Sequence, residues 1–275
     1  MKQLILSEWN RLWKRKVTWF VFLSIPIIII FSTKYLLGQN TVLSTDLPQY
    51  TVAWNFPILV LAETLITVFQ GIILILITFS VTEEYRTGQL RLVLIRSYSL
   101  LEVILAKFIV ITVLVLMYFT IYYALSSIIG LLIFPKPEEY PLFYHQEKVT
   151  VYEGIVYNLG FYAIAILISI VIISIVFFIA IISQTTTTAI GSGIGFILFS
   201  LAYPNILSYF KLIIDEALYT KLYYTSLPMI QWKGITLMLS EYPIMNDWFF
   251  IVLILYFCIF TCLTFLMIRK KDSFI

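Results

Sequence analysis

Charged residues are scarce in this 275-residue chain, and this scarcity sets its class. Asp, Glu, Lys and Arg together make up 12% of the residues, about half of their share in a typical soluble domain. Hydrophobic residues make up 61%, and the mean hydropathy is +0.98. This composition argues against a water-soluble fold and predicts an integral membrane protein.

Histidine and cysteine are scarce as well, with one and two residues. The only histidine is His145, so the two-histidine pattern of zinc proteases cannot form. Cys258 and Cys262, one helical turn apart in the last apolar run, are expected to face lipid or the core rather than form a disulfide or a metal site. No phosphate-binding loop of the G-x-x-x-x-G-K-[ST] type occurs. The sequence therefore predicts no catalytic residue, no metal and no cofactor in this chain, and no nucleic-acid partner.

Six long apolar runs are present, each able to cross the roughly 30 Å hydrocarbon layer as about 20 helical residues. They predict an all-α polytopic membrane protein, since lipid tolerates no unpaired backbone groups. The predicted spans cover residues 17–37, 53–81, 100–134, 155–182, 189–209 and 248–268.

Lysine and arginine are unevenly distributed between the two sides that these spans define. Twelve of the 18 lie in segments assigned to one side, with only five of the 15 acidic residues. The excess of Lys and Arg predicts that this side is cytoplasmic, so both termini, including the tail 269–275, are expected inside. Lys34 and Glu63 are expected near the outer interface, paired with each other or reaching the headgroups.

Residues 1–16 predict an amphipathic helix lying in the plane of the inner membrane surface. Apolar residues recur at helical spacing, and charged residues stand between them. The apolar set is Leu4, Ile5, Trp9, Leu12 and Trp13, and the charged set is Glu8, Arg11, Lys14 and Arg15. Of these, Glu8, Trp9, Arg11 and Trp13 are the candidate functional residues, although a simple topogenic anchor would show the same pattern.

The segment Thr82–Leu101 predicts a short cytoplasmic helix with one apolar face between the second and third spans. Its polar residues are Glu83, Glu84, Arg86, Gln89, Arg91 and Arg96, and its apolar residues are Leu90, Leu92, Val93, Leu94 and Ile95. A connection alone needs no leucine-rich helix, so this face is expected to dock on a partner. The alternative is a helix lying flat among the headgroups.

Three other segments carry structural predictions. The uncharged turn Ser183–Thr188 predicts that the fourth and fifth spans are antiparallel neighbours, and Gly191 with Gly195 predicts close helix packing. Residues 135–153 are expected to form a polar outer loop. The stretch 204–247 predicts one or two short helices dipping into the outer leaflet, with tyrosines suited to the interface.

The stretch from Thr82 to Lys107 resembles the permease subunits of the ABC-2 family of ABC transporters. In that family an acid, a basic residue and a glycine precede a leucine-rich helix, then an arginine and a lysine at the start of the third span. The matching residues here are Glu83, Glu84, Arg86, Gly88, Leu90, Arg91, Leu92, Leu94, Arg96 and Lys107. Ser97 and Tyr98 stand where the family commonly has a proline. The N-terminal helix, the six spans, the second cytoplasmic turn and the outer helices fit the family as well.

The resemblance implies a transporter whose power comes from another subunit. It implies two cytoplasmic ATPase subunits holding ATP and Mg, and a second permease, identical or paralogous. The Gly88–Ser97 helix would be the coupling helix, with Ser183, Gln184, Thr185 and Thr186 as a second cytoplasmic contact. An exported amphipathic or hydrophobic substrate, such as an antimicrobial or toxin peptide, is the expected cargo. A glycan, lipid or ion exporter of the same family and a membrane anchor or sensor stay open.

Overall fold

The computed structural model describes residues 1–86, 98–183 and 185–272 of the chain. Within these ranges it confirms six helices long and apolar enough to cross a membrane. In chain order the helices are α1 (Lys2–Trp13), α2 (Lys16–Asn40), α3 (Phe56–Thr64), α4 (Gln70–Arg86), α5 (Leu100–Ile133), α6 (Val151–Ile182), α7 (Thr186–Ser208), α8 (Glu216–Tyr223), α9 (Leu227–Met229), α10 (Ile235–Met238) and α11 (Asn246–Asp272). The spans are α2, α3 with α4, α5, α6, α7 and α11. A π-helical turn, Leu65–Phe69, joins α3 to α4, and a second, Ile230–Gly234, joins α9 to α10.

Polar side chains fix where the central spans begin. At the start of α5, Glu102 accepts a hydrogen bond from the Ser99 backbone N–H at 2.9 Å, and the Glu102 N–H donates to Ser99 Oγ. Thr150 and Glu153 make the same reciprocal arrangement at the start of α6. These capping boxes satisfy backbone N–H groups that the first helical turn leaves unpaired.

The fourth span, α6, lies at the centre of the bundle. In the most apolar 18-residue stretch of α6, 72% of the residues are buried. The helix contacts α4, α5, α7 and α11. By contrast, only 28%, 22% and 17% of the residues are buried in the corresponding stretches of α2, α7 and α11. These three helices therefore leave wide apolar faces for lipid or another chain.

The bundle has two ends, which we call basal and distal. The basal end holds α1, the last turns of α4, α6 and α11, and the first turns of α5 and α7. The distal end holds the loop 41–55, the loop 134–150 and the short helix α8. Helices α9 and α10 lie against the bundle, where α9 contacts α7 and α10 contacts α6.

The distal end contains a small β-hairpin in the segment that the sequence presents as a polar loop. Strand β1 (Glu139–Tyr140) pairs antiparallel with β2 (Val149–Thr150), with Tyr140 opposite Val149. Tyr140 is buried against Gly154, where any side chain would meet the tyrosine hydroxyl. The fold is thus helical except for this one hairpin among the described residues. An exposed ion pair of 2.8 Å between Lys148 and Asp46 joins the hairpin to the other distal loop, and the Asp46 carboxylate raises the pKa of Lys148.

Between α7 and α11 the chain returns towards the interior of the bundle. Ser226 Oγ donates a hydrogen bond of 2.7 Å to the Ser200 carbonyl, and Gln231 meets Gln70 of α4. The chain then runs back to the distal loops, where the Glu241 backbone N–H donates to the Tyr144 carbonyl. Lys34 and Glu63 are exposed, and neither has an ion-pair partner among the described residues. Their pairing with each other is therefore not found, and their reach to the headgroups stays a prediction.

Candidate functional site at the basal end

Helix α1 packs against the third span through a stripe of three residues. Leu4, Glu8 and Leu12 follow one another at four-residue intervals and are all buried. This spacing puts them on one face of the helix, which contacts α5. The helix is therefore attached to the bundle through this face.

A buried ion pair stands at the centre of that contact. Glu8 Oε2 accepts a hydrogen bond of 2.6 Å from Lys107 Nζ, with the Lys107 and Glu8 side chains 0% and 1% exposed. Arg11 lies 3.3 Å from the other carboxylate oxygen of Glu8. Lys107 is seven residues into α5, roughly 10 Å along its axis. The pair joins the N-terminus to the third span inside the protein.

This geometry corrects the sequence interpretation of two charges. Glu8 is predicted among the charged residues of the N-terminal helix, and Lys107 is one of the twelve basic residues assigned to the cytoplasmic side. Both are buried instead, because each neutralises the other where neither could be hydrated. The even spacing of Leu4, Glu8 and Leu12 is the signal in the sequence that could have identified the buried face.

The corner between α1 and α2 is closed by side chains from both helices. Thr18 Oγ1 donates to the Leu12 carbonyl at 2.6 Å, and Trp19 Nε1 donates to the Trp13 carbonyl at 3.0 Å. The Trp13 ring stacks on Phe22 at a centroid distance of 5.3 Å and meets Trp9 edge-on at 5.8 Å. The predicted residues Trp9 and Trp13 thus fix the angle between α1 and the first span.

The same corner also contacts the second span. The Arg15 guanidinium donates a hydrogen bond to the Phe79 carbonyl, near the basal end of α4. We call the Glu8–Lys107 and Arg15–Phe79 contacts the basal clamp. Through them, residues 8–15 contact both helices that flank the predicted coupling segment.

Most of the predicted coupling residues lie outside the described residues. These are the side chains of Glu83, Glu84 and Arg86, and all of Gly88, Leu90, Arg91, Leu92, Leu94 and Arg96. Gln184 of the predicted second contact also lies outside them. The described chain resumes at Tyr98, and Ser99 caps α5 immediately afterwards.

The second predicted contact forms a tight turn at the same end. Helix α6 ends at Ile182 and α7 begins at Thr186, so Ser183–Thr185 make the connection. Ser183 Oγ donates to the Ile179 carbonyl, and Thr185 Oγ1 accepts from the Thr188 N–H at 3.1 Å. The two spans therefore reverse direction within one turn of chain.

The predicted glycine packing face has no packing partner among the described residues. Gly191 and Gly195 are exposed on α7, and no described atom lies within 4 Å of the position that a Cβ would take at either. Gly193 is the glycine that packs, directly against the Leu74 side chain. Gly193 packs and its neighbours Gly191 and Gly195 do not, because residues two apart lie on different faces of a helix.

A buried amide pair inside the bundle is not evident from the sequence. Gln70 Nε2 donates to Gln231 Oε1 at 2.5 Å, and both residues are buried. Each glutamine belongs to or directly follows a π-helical turn. Such turns are rare and often mark functional positions. The interaction spans 161 residues of sequence, so no local pattern reveals it.

No three His, Cys, Asp or Glu side chains gather as a metal site within the described ranges. What the basal end offers is mechanical: a buried charge pair, a packed corner and short connections between spans.

Comparison with protein families finds a match that covers most of the chain. Residues 26–274 match the family model described as "Protein of unknown function (DUF2705)". No curated protein matches the chain. The match starts inside α2, so it includes all of the spans that follow it. The chain belongs to the DUF2705 family.

Proposed function

We propose that this chain is the membrane-spanning permease subunit of an ATP-driven ABC transporter of the ABC-2 type. It pairs with a second permease, identical or paralogous. Two cytoplasmic ATPase subunits supply ATP and Mg binding, so no hydrolysis occurs in this chain. We place it in a bacterial cell membrane with both termini in the cytoplasm.

The observation that carries the proposal is the basal clamp. The predicted coupling segment joins α4 to α5, and the clamp connects those same two helices to α1 through Arg15 and Lys107. A push on the coupling segment would therefore move α1, α4 and α5 together instead of bending one connection. Rigid displacement of linked helices is a common route from a small local movement to a domain rearrangement.

The turn at Ser183–Thr185 gives the partner a second point of contact at the same end. It joins α6 and α7, and α6 is the helix around which the bundle packs. We infer that the ATPase subunit contacts both the coupling segment and this turn, so that its closure moves two pairs of spans relative to each other.

We propose an amphipathic or hydrophobic cargo, with an antimicrobial or toxin peptide as the first candidate. Apart from residues within two positions of a helix end, the described spans carry three charged residues. Lys107 is paired with Glu8, and Lys34 and Glu63 lie towards the distal end. A pathway lined by such helices favours apolar surfaces over ions. Exporters of glycans, lipids or ions would share the fold, and a panel of substrates separates them.

The test uses variants of the coupling segment in cells that express the chain with its native partners. Arg91→Glu and Leu92→Asp are expected to abolish survival of cells challenged with amphipathic peptides. Lys136→Glu, an exposed charge reversal at the distal end, is the control and is expected to leave survival unchanged. Full protection by both coupling variants would contradict the proposal. If the wild-type chain protects cells against none of the peptides, the proposed cargo is contradicted but the proposed permease role is not.

A further inference from the structure

A cavity of about 360 Å³ lies between α5, α6 and α11 in the basal half of the bundle. Its walls are almost entirely apolar and include Ile104, Phe108, Phe177, Phe257 and Phe265. This volume falls in the range of pockets that bind small molecules. It is therefore large enough for a ligand and unsuited to a polar one.

The cavity opens sideways, towards the surface that the spans present to lipid. Two of its lining side chains, Leu105 and Phe265, are 43% and 36% exposed and form its rim. Helix α11, which provides one wall, is the least buried of the six spans. A ligand can therefore enter from the bilayer without passing through the bundle.

The length of the cavity matches one leaflet of the membrane. On α11 it runs from Phe257 to Ile268, roughly 16 Å at 1.5 Å per residue. Half of the hydrocarbon core is about 15 Å thick. The cavity thus has the length of one acyl chain lying beside the helices.

A cation stands at the basal mouth. The Arg269 guanidinium lies over the Phe265 ring, 4.8 Å from its centroid, and Arg269 itself is exposed. Arginine is well suited to phosphate, which its planar guanidinium can contact through two parallel hydrogen bonds. The acidic residue next to the lining, Glu102, has its carboxylate engaged by the Ser99 backbone and hydroxyl.

We propose that this cavity binds an anionic phospholipid, with one acyl chain between α5 and α11 and the phosphate held by Arg269. Basic groups at the ends of membrane helices attract anionic headgroups in this way. The site lies apart from the clamp and does not depend on the proposed transport function.

A second cavity supplies a matched control. It measures about 250 Å³, lies along α6 and α11 towards the distal end, and includes Leu167, which is 45% exposed. Its lining contains no charged residue. The control for the cation is Lys233, which is exposed and whose ammonium group lies 5.4 Å from the Trp232 ring centroid.

The experiment measures lipid binding to the purified full-length chain in detergent, with phosphatidylglycerol and phosphatidylcholine of identical acyl chains. The wild-type chain is expected to bind phosphatidylglycerol about tenfold more tightly than phosphatidylcholine. Both lipids carry the phosphate, but only phosphatidylcholine also carries a choline cation, which the Arg269 guanidinium repels. Arg269→Gln should remove this preference, and Leu105→Trp should weaken binding of both lipids. Lys233→Gln and Leu167→Trp should change neither.

Three results would overturn the proposal. The first is equal binding of the two lipids by the wild-type chain, and the second is a preference that survives Arg269→Gln. The third is a Leu105→Trp variant that binds both lipids normally but changes its oligomeric state, which would show that another copy of the chain covers the cavity.

Discussion

Among single residues, Glu8 and Lys107 have the largest expected effect on stability. Their side chains are buried together, and the charges are 99 residues apart in sequence. Burying one charge without its partner is strongly unfavourable, whereas a well-packed apolar pair is often tolerated. The clamp therefore depends on both residues at once.

Neutralising one member of this pair should destabilise the protein. Glu8→Gln leaves the Lys107 ammonium group buried beside a neutral amide, and a loss of about 3–5 kcal/mol in the free energy of unfolding is expected. Glu8→Lys combined with Lys107→Glu should recover part of that loss. The measurement is the denaturant midpoint of the purified chain in detergent.

The exposed ion pair at the distal end is the control. Lys148→Gln should leave the midpoint almost unchanged, because exposed pairs are screened by water. Equal effects of Glu8→Gln and Lys148→Gln would show that burial of the Glu8–Lys107 pair has no energetic consequence.

The amide pair in the bundle gives a second prediction for single residues. Gln231→Leu leaves the Gln70 amide buried without its acceptor, at a cost of about 1–3 kcal/mol. Replacing both glutamines by leucine should cost less than either single change, since no unpaired polar group is then left. A double-mutant cycle on the unfolding midpoint tests this. Simple additivity of the two single changes would contradict the contact.

Single residues are also where the sequence is least informative. The positions of Glu8 and Gln231 depend on contacts 99 and 161 residues away, and helical periodicity reports only neighbours along the chain. The Gly191 and Gly195 pattern is visible in the sequence, but it cannot tell whether the facing helix belongs to this chain or to another. No described atom of this chain covers that face.

At the level of elements, the spans follow from composition, because only long apolar helices satisfy their backbone in lipid. The six helices could therefore be predicted, and the structure confirms them. The hairpin at Glu139–Tyr140 and Val149–Thr150 could not, since two-residue strands have no detectable alternation. The π-helical turns likewise leave no pattern in an apolar run.

The junction between the hairpin and the fourth span gives a prediction at this scale. Gly154→Ala should displace the buried Tyr140 ring, because the added methyl group would meet the tyrosine hydroxyl. A loss of about 1–3 kcal/mol is expected, as for other overpacked sites. Protease sensitivity of the loop 134–150 in the purified chain is the measurement.

Gly38→Ala provides the matched control for that change. No described atom lies within 4 Å of the Cβ position at Gly38, so alanine should be neutral or slightly stabilising there. If both variants resist protease like the wild-type chain, Tyr140 does not need the space that Gly154 leaves.

At the scale of the whole molecule, the basal clamp joins α1, α4 and α5 into one mechanical unit. We expect Arg15→Gln to weaken this unit without unfolding the chain, because it removes the contact with the Phe79 carbonyl and leaves the Glu8–Lys107 pair in place. In the proposed transporter, the variant should keep its ATPase subunit and hydrolyse ATP while losing at least part of its export. Survival of peptide-challenged cells, measured beside ATPase activity, separates coupling from assembly. Unchanged survival would show that the Arg15 contact does not transmit movement.

The partner subunit is the central claim and the most direct one to test. The measurement is a pull-down of the tagged chain from its native membrane, followed by an ATPase assay of the co-purifying proteins. The account predicts a stoichiometric nucleotide-binding subunit that is lost on Arg91→Glu and retained on Lys136→Glu. A chain that is recovered alone, without ATPase activity, would contradict the coupled permease and favour a membrane anchor or a secondary carrier.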